Sequence, residues 1–440
     1  MKRRLRAFGD RSQRFEEYLE QLTRSAGHAD RMVPMENYTK GLLLPLERKS
    51  VEPMAARLAP GNVRRMHQSL HHIVADAAWS DAALLKEVRA QVLPAMTGQH
   101  KLIAWIVDDT GFPKKGIHSV GVTRQYCGQV GKQDNCRIAV SVSLATEQAS
   151  LPARYQLYLP ENWAGDKELR RKAGVPEEIR FQTKQEMALD QIRSLREEGV
   201  ERGVVLADAA YGNDHGFREH LEGLELEYVV GIQSSTTVWP PGTAPLPPKA
   251  RKAIGRPTQL LRRDSQHQPL SVKELALCLS PGDLRRVSWR EGTRGTMHSR
   301  FACLRVRVAH RDIWRREPHP EQWLLIEWPR EEKEPTKYWL SNLPESTPLR
   351  RLVLLAKQRW IIERDYQELK QELGLGHFEG RGWRGFHHHA SLCIAAYGFL
   401  VRERCLFPPP SGEPLRAADL RLPLPRREIG YTPRGAAGTH

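Results

Sequence analysis

The sequence lacks the patterns that mark several common classes of protein. None of its six cysteines forms a C-x-x-C pair, which argues against a zinc site. A G-x-x-x-x-G-K loop for ATP phosphates and a G-x-S-x-G nucleophile motif are both missing. Apolar runs are too short to span a membrane, and none follows the basic first residues, so we expect neither a membrane protein nor a signal peptide. These absences and the scattered cysteines favour a cytoplasmic protein.

Acidic residues are fewer than basic residues in this sequence. The chain has 68 Lys and Arg against 52 Asp and Glu, for a formal net charge of +16. This basic balance favours a nucleic-acid partner, and the alternative is a protein that merely happens to be basic. With 440 residues, of which 40% are hydrophobic, the chain is long enough for two or three domains with a sizeable core.

The first part of the chain, residues 1–100, has the periodicity of helices. An amphipathic segment from Ser50 to Leu58 stops at a Pro-Gly turn, and Asn62 can cap a second helix that exposes Arg64 and Arg65. Two helices around such a turn are typical of a helix-turn-helix that binds DNA, but also of an ordinary helical hairpin. The sequence leaves both interpretations open, and DNA binding by this region is a prediction.

From residue 101 the pattern alternates between β and α elements. Strands are predicted at Leu102–Val107, Ser119–Cys127, Arg137–Ala145, Val204–Ala207 and Glu227–Ile232. Helices are predicted at Lys184–Glu198, Gly216–Leu224, about 348–373 and Phe386–Leu406. The order predicts a mixed α/β fold. The predicted divisions are a core in two parts, 101–232 and 331–406, a β-rich insertion at 233–330, and a disordered tail at 407–440.

Three acidic positions stand out. One apolar, strand-like run ends at Asp108 and Asp109, a second ends at Asp208, and Glu363 lies in a basic helix. A carboxylate at the end of a core strand is held rigidly and still faces solvent. Three such carboxylates can hold two divalent ions for phosphoryl transfer on a nucleic-acid backbone.

The helix with the third carboxylate has a patterned face. Arg359, Glu363, Tyr366 and Lys370 are spaced so that they share one side of a helix. A carboxylate between two cations can bind a metal ion while its neighbours hold phosphates. The alternative is a solvated face with ordinary ion pairs, and only the strand-end aspartates shift the balance toward function.

Taken together, these motifs resemble the DDE transposases of bacterial insertion sequences. Asp109 precedes Thr110, as the family's first aspartate does, and Asp208 stands in Ala-Asp-Ala-Ala-Tyr-Gly. Glu363 stands in Arg-Trp-Ile-Ile-Glu, and the family's tyrosine–arginine–glutamate–lysine signature is matched at Arg359, Glu363 and Lys370. Strand alternation sends Asp108 and Asp109 to opposite faces, so only one can point at the other carboxylates, and the threonine favours Asp109.

The resemblance runs from about residue 40 to 400 and implies both fold and cofactor. It implies a ribonuclease H-like mixed sheet interrupted by the β-rich insertion. Asp109, Asp208 and Glu363 would be the catalytic residues and would bind two Mg²⁺ ions, with Mn²⁺ as an alternative. The family's tyrosine–arginine–glutamate–lysine signature fails at the tyrosine, where Ala356 stands, and Tyr366 is a candidate substitute.

The resemblance also implies the partners. The expected activity is cleavage at the ends of an insertion sequence and strand transfer into target DNA. A homodimer bound to terminal inverted repeats and associated with the nucleoid is expected. The candidate DNA-binding residues are Arg359, Lys370, Lys114, Lys115, Arg381 and Arg384. Two alternatives remain: a ribonuclease H-like nuclease without strand transfer, and a catalytically idle DNA-binding derivative, against which the intact acidic set argues.

Overall fold

The computed structural model describes residues 10–98, 100–249, 259–292 and 295–408. The tail predicted to be disordered lies outside the described residues from position 409 onward. The helices are α1 Arg11–Thr23, α2 Ala29–Leu43, α3 Val51–Leu58, α4 Val63–Ala75, α5 Asp81–Thr97, α6 Glu161–Ala164, α7 Lys167–Ala173, α8 Lys184–Glu197, α9 Ala209–Gly212, α10 His215–Gly223, α11 Val272–Leu277, α12 Leu349–Gln358, α13 Trp360–Gln371 and α14 Trp383–Leu406. The strands are β1 Ala104–Pro113, β2 Thr123–Cys127, β3 Lys132–Ala145, β4 Ser150–Leu157, β5 Val204–Ala207, β6 Tyr228–Ile232, β7 Thr237–Trp239, β8 Leu270–Ser271, β9 Arg285–Gly292, β10 Gly295–Val308, β11 Glu321–Glu327 and β12 Lys337–Ser341.

One large mixed sheet organises the described part of the chain. Its twelve strands follow the order β2-β3-β1-β5-β6-β12-β11-β10-β7-β8, with β4 paired to β3 and β9 paired to β10. Strands β1, β5 and β6 run parallel to one another, whereas β3 is antiparallel to β1. Helices precede the sheet and cover it. The predicted fold class, a ribonuclease H-like α/β fold with an N-terminal helical region, is confirmed.

The segment predicted as a β-rich insertion extends this same sheet. Strand β12, which follows the insertion, pairs with the free edge of β6; the insertion strand β11 pairs with β12, and β10 pairs with β11, all antiparallel. An unpaired edge strand exposes a row of backbone donors and acceptors, and this pairing satisfies the edge of β6. The domain boundaries given above remain predictions.

Helices cover both faces of the central strands. On β1, Ala104 and Ile106 belong to the core formed with α1–α5 and α12–α14, whereas Trp105 and Val107 belong to the core formed with α8 and α10. A strand that is buried on both faces is apolar along its whole length and shows no alternation. The first face is called the α13 face below, and the second the α8 face.

Helix α14 is the centre of the α13-face core and is buried over most of its length. It contacts α5, α2 and β4, and a buried ion pair of 2.6 Å between Arg14 and Glu403 links it to α1. Among the residues that the structure describes, no helix combines the length and the hydropathy that a membrane crossing requires.

Several predicted boundaries were wrong in ways that bear on the site. The strand predicted to end at Val107 continues to Pro113, so the adjacent aspartates lie inside β1. Pairing with β3 along its whole length explains the extension, because each added residue keeps its ladder hydrogen bonds. The helix predicted at about 348–373 is divided at Arg359, and strand β4 was not predicted at all.

Candidate active site

The parallel pair β1–β5 brings two carboxylates side by side. Ile106 is the register partner of Leu206, and the same register continued by two residues places Asp108 opposite Asp208. Paired residues of parallel strands point to the same face of a sheet. Both carboxylates therefore belong to the α13 face.

The position of Asp208 is fixed by a tight strand-to-helix turn. Its Oδ1 accepts a hydrogen bond of 2.9 Å from the backbone N–H of Ala210, so the aspartate is the N-cap of α9. Helix α9 lies directly against β6, where a Cβ added at Gly212 would come within 2.2 Å of the carbonyl oxygen of Gly231. Because Gly212 and Gly231 have no side chains, α9 can pack this closely against β6. This packing holds Asp208 at the end of β5.

We expect Gly212→Ala to destabilise the protein. The added methyl group would meet backbone, which cannot move aside as a flexible side chain can. Overpacking of this kind costs about 1–3 kcal/mol, measurable as a lower denaturant midpoint. Gly223→Ala is the matched control, because nothing lies within 4 Å of the Cβ it would add. Equal midpoints for the two variants would contradict the account of the turn.

A single guanidinium connects the two aspartates. Nη2 of Arg359 donates to Oδ1 of Asp108 at 2.7 Å and lies 3.5 Å from Oδ2 of Asp208. We call these two contacts the Arg359 bridge. Burial opposes the charge of the guanidinium, but Asp108, Asp208 and, to a smaller extent, Glu363 raise the pKa of Arg359. All three carboxylates therefore act on the same cation.

Asp108 is the more enclosed of the two bridged aspartates. Its side chain is 13% exposed, against 38% for Asp208. Burial raises the pKa of Asp108 to about 6, and the nearby carboxylates of Asp109 and Asp208 act in the same direction, whereas Arg359 opposes them. The ionised carboxylate of Asp108 thus depends on a nearby cation.

Glu363 completes the acidic set from the helix side. It lies in the first turn of α13 and is exposed. Together with Asp208, Arg359 and Trp360, it lines a cleft of about 370 Å³. The structure therefore brings the predicted residues Asp208, Glu363 and Arg359 together.

Asp109 lies on the other side of the sheet. Its neighbour in the strand points to the α13 face, so alternation turns Asp109 to the α8 face, where it forms an ion pair with Lys184 of α8. The structure does not bring Asp109 into the cleft with Asp208 and Glu363. Lys184 was missed by the sequence reasoning, since it opens a predicted helix but no pattern connects it to an aspartate 75 residues away.

The other residues of the α13 motif face the sheet as the helical spacing predicts. The Tyr366 hydroxyl is buried and donates to Oγ of Ser141, so the suggestion that it substitutes for the signature tyrosine at a phosphate is wrong. Nζ of Lys370 donates to the Gly111 carbonyl and to Oε1 of Gln129, each at 3.0 Å. Burial lowers the pKa of Lys370 to about 8.

The remaining candidate DNA contacts differ in accessibility. Nζ of Lys114 donates to the Phe378 carbonyl at 3.1 Å, and burial lowers its pKa to about 8. Nη1 of Arg384 donates to the Asp76 carbonyl at 2.9 Å, although this arginine is exposed. Lys115 and Arg381 are also exposed. Lys115, Arg381 and Arg384 are thus open to a partner, whereas Lys114 is half-buried.

The donor chemistry of the cleft suits a hard divalent cation, but the side chains are not arranged around one. Carboxylate oxygens are the ligands that Mg²⁺ and Mn²⁺ prefer. In the described ranges, no group of three or more His, Cys, Asp or Glu side chains is placed to hold a metal ion. A cation of another kind, the guanidinium of Arg359, lies between Asp108 and Asp208. The carboxylate ligands are of the type that such an ion prefers. In this structure the Arg359 bridge contacts the oxygens of Asp108 and Asp208 that would bind it.

The three consecutive histidines of α14 are structural. They are buried, and each is hydrogen-bonded to the surrounding fold. Their partners are the Leu157 amide for His387, the Val74 and Trp79 carbonyls for His388, and Tyr38 and the Gly374 carbonyl for His389.

Comparison with known proteins identifies the class to which this fold and cleft belong. Residues 17–296 match the family described as DDE superfamily endonuclease. This is more than half of the chain, and the chain belongs to that family. The match includes β1 and β5 with their aspartates and ends before Glu363.

A more particular similarity is to a curated transposase. A protein named probable transposase for insertion sequence element IS701, from Microchaete diplosiphon, is 32% identical to this chain over 199 residues. The aligned part covers 44% of this chain and 47% of the relative. The chain therefore matches about half the length of that relative.

Proposed function

We propose that this chain is a transposase that cuts DNA at the ends of an insertion sequence and joins those ends to target DNA. The observation that carries the proposal is the meeting of Asp108, Asp208 and Glu363 around the Arg359 bridge. Membership of the DDE superfamily endonucleases and the similarity to a probable transposase support it.

Asp208 and Glu363 are proposed to hold divalent ions, Mg²⁺ or Mn²⁺, together with one of the two adjacent aspartates of β1. When bound, such ions polarise a phosphate and activate the attacking oxygen. The protein's own contribution is rigid placement: β1 and the capped turn after β5 fix two carboxylates, and the first turn of α13 presents the third.

The first carboxylate has two candidates. The motif in the sequence favours Asp109, because it precedes Thr110. The contacts in the fold favour Asp108, because it shares Arg359 with Asp208, whereas Asp109 pairs with Lys184 on the other face. We propose Asp108 as the ligand and assign Asp109 a structural role.

DNA is proposed to approach the cleft over a basic surface. Arg359 contacts Asp108 and Asp208, Lys370 is near enough to Asp108 for their charges to interact, and Lys115, Arg381 and Arg384 are exposed positions that could contact the backbone. Contacts to phosphates by Lys and Arg dominate affinity for nucleic acid and carry no sequence preference. Recognition of the element ends is proposed to come from the N-terminal helices, and a homodimer would pair the two ends.

A strand-transfer assay tests the proposal. The purified chain is incubated with Mg²⁺, a linear DNA that ends in the inverted repeats flanking its gene, and a supercoiled target plasmid. We expect end cleavage and covalent joining of the cut ends to the plasmid. Cleavage without joined product would favour the nuclease alternative, and end binding without cleavage would favour the idle derivative. A DNA with scrambled ends is the control.

A further inference from the structure

Arg359 occupies a position that the proposed reaction needs for another cation. Its Nη2 lies 2.7 Å from Oδ1 of Asp108 and 3.5 Å from Oδ2 of Asp208. A divalent ion shared by two carboxylates would draw on these same oxygens. The guanidinium and the metal ion therefore compete directly for one site.

The three carboxylates of the cleft favour a nearby cation. Asp108 is largely enclosed, and Asp208 and Glu363 are close enough to act with it on Arg359. Like charges gathered in a partly dehydrated cleft repel one another strongly. A resident cation between Asp108 and Asp208 offsets part of that repulsion.

Arg359 is also partly open to the cleft. It lies at the junction between α12 and α13, its side chain is 26% exposed, and it lines the open cleft. Its Nε is buried without a hydrogen-bond partner in the bridge, so the bridge does not satisfy the whole guanidinium. Planar guanidinium groups bind phosphate through two nitrogens at once, and a phosphate would offer that second contact.

We propose that Arg359 is a resident counter-ion of the active site that a divalent metal ion displaces from Asp108 and Asp208, which makes the guanidinium available to a DNA phosphate. The inference rests on the proposed function. In this scheme, metal binding and DNA binding strengthen each other through one side chain, because each favours the conformation in which the bridge is open. Such coupling is reciprocal by thermodynamic necessity.

The first measurement is metal affinity without DNA. Mn²⁺ is titrated into the full chain, and free Mn²⁺ is followed by electron paramagnetic resonance. Arg359→Gln should bind Mn²⁺ about tenfold more tightly than the parent, because an apparent affinity is reduced by the fraction of molecules whose site is closed. Arg364→Gln is the matched control, since it removes the same charge from an exposed position in the adjoining helix α13 and should change the affinity little.

The second measurement is DNA affinity at constant ionic strength, with a fluorescent duplex that carries the element end. Addition of Ca²⁺ in place of EDTA should strengthen DNA binding by the parent, and Arg359→Gln should lose most of that gain. Arg359→Lys should keep part of it, because a lysine retains the charge but cannot bridge two carboxylates with one planar group. Melting temperatures of all variants report whether they are folded.

The outcomes separate this inference from the proposed function. Equal or weaker Mn²⁺ binding by Arg359→Gln, with binding that still depends on Asp208, would overturn the counter-ion role and leave the proposed metal site standing. Mn²⁺ binding that is absent from every variant, or unaffected by Asp208→Asn, would overturn both. Tighter Mn²⁺ binding by Arg359→Gln together with loss of the Ca²⁺-dependent gain in DNA affinity would support the inference.

Discussion

Asp208→Asn and Glu363→Gln are each expected to abolish cleavage at the element ends while DNA binding persists. Both substitutions keep the size of the side chain and remove the negative charge that a divalent ion requires. Loss of a group at the centre of the chemistry lowers turnover by at least about 10³-fold. The measurement is single-turnover cleavage of an end-labelled duplex in Mg²⁺, beside the dissociation constant for the same duplex in Ca²⁺.

The control for these variants comes from the same helix. Glu368→Gln changes the same charge on α13, but this carboxylate pairs with Arg404, away from the cleft. It should cleave at close to the parental rate, with a lower melting temperature. Cleavage by Asp208→Asn or Glu363→Gln at the rate of this control would remove that residue from the proposed metal site.

The sequence was sufficient to single out Asp208 and Glu363 as candidates because each stands in a local pattern. An apolar run that ends in aspartate marks the end of a buried strand, and Glu363 lies at helical spacing from Arg359 and Lys370. The alternation of β and α segments likewise predicted the fold class. Local periodicity reports local structure well, since it follows from the geometry of one element.

Contacts between distant parts of the chain could not be predicted in this way. Arg359 and Asp108 are 251 residues apart, and no pattern in the sequence around either residue indicates that they are in contact. The same holds for Lys184 and Asp109 across 75 residues. These pairs depend on the order of strands in the sheet and on which helix covers which face, and these are properties of the whole fold.

The choice between the two adjacent aspartates shows where local reasoning stops. Strand alternation predicts that they face opposite ways, and they do. Which face carries the third carboxylate cannot be read from β1, because both faces of this strand are buried and its apolar residues show no alternation. The neighbouring threonine was the remaining local signal, and it pointed to Asp109.

The second large effect expected is a sharp difference between Asp108→Asn and Asp109→Asn. Asp108→Asn should lower metal-dependent cleavage by at least about 10³-fold. It removes the carboxylate that lies opposite Asp208 and contacts the same guanidinium, that of Arg359. Asp109→Asn should retain cleavage within a few-fold of the parent.

The cost of Asp109→Asn should appear in stability instead. The substitution breaks the ion pair with Lys184. The side chain of Asp109 is 29% exposed, and that of Lys184 is 27% exposed. Partly exposed pairs of this kind contribute no more than about 1 kcal/mol, because water and salt screen them. A small fall in melting temperature is therefore expected, and Lys184→Met should reproduce it with cleavage preserved.

Cleavage and melting measured on all three variants decide the assignment. If Asp109→Asn were inactive and Asp108→Asn active, the motif would outweigh the geometry, and β1 would have to turn its α8 face toward Glu363 when DNA binds. If both aspartate variants were inactive and Lys184→Met were active, cleavage would require the carboxylate of Asp109 itself and not its ion pair with Lys184. Loss of activity in Asp108→Asn alone would assign the first metal-binding carboxylate to the residue that the Arg359 bridge joins to Asp208.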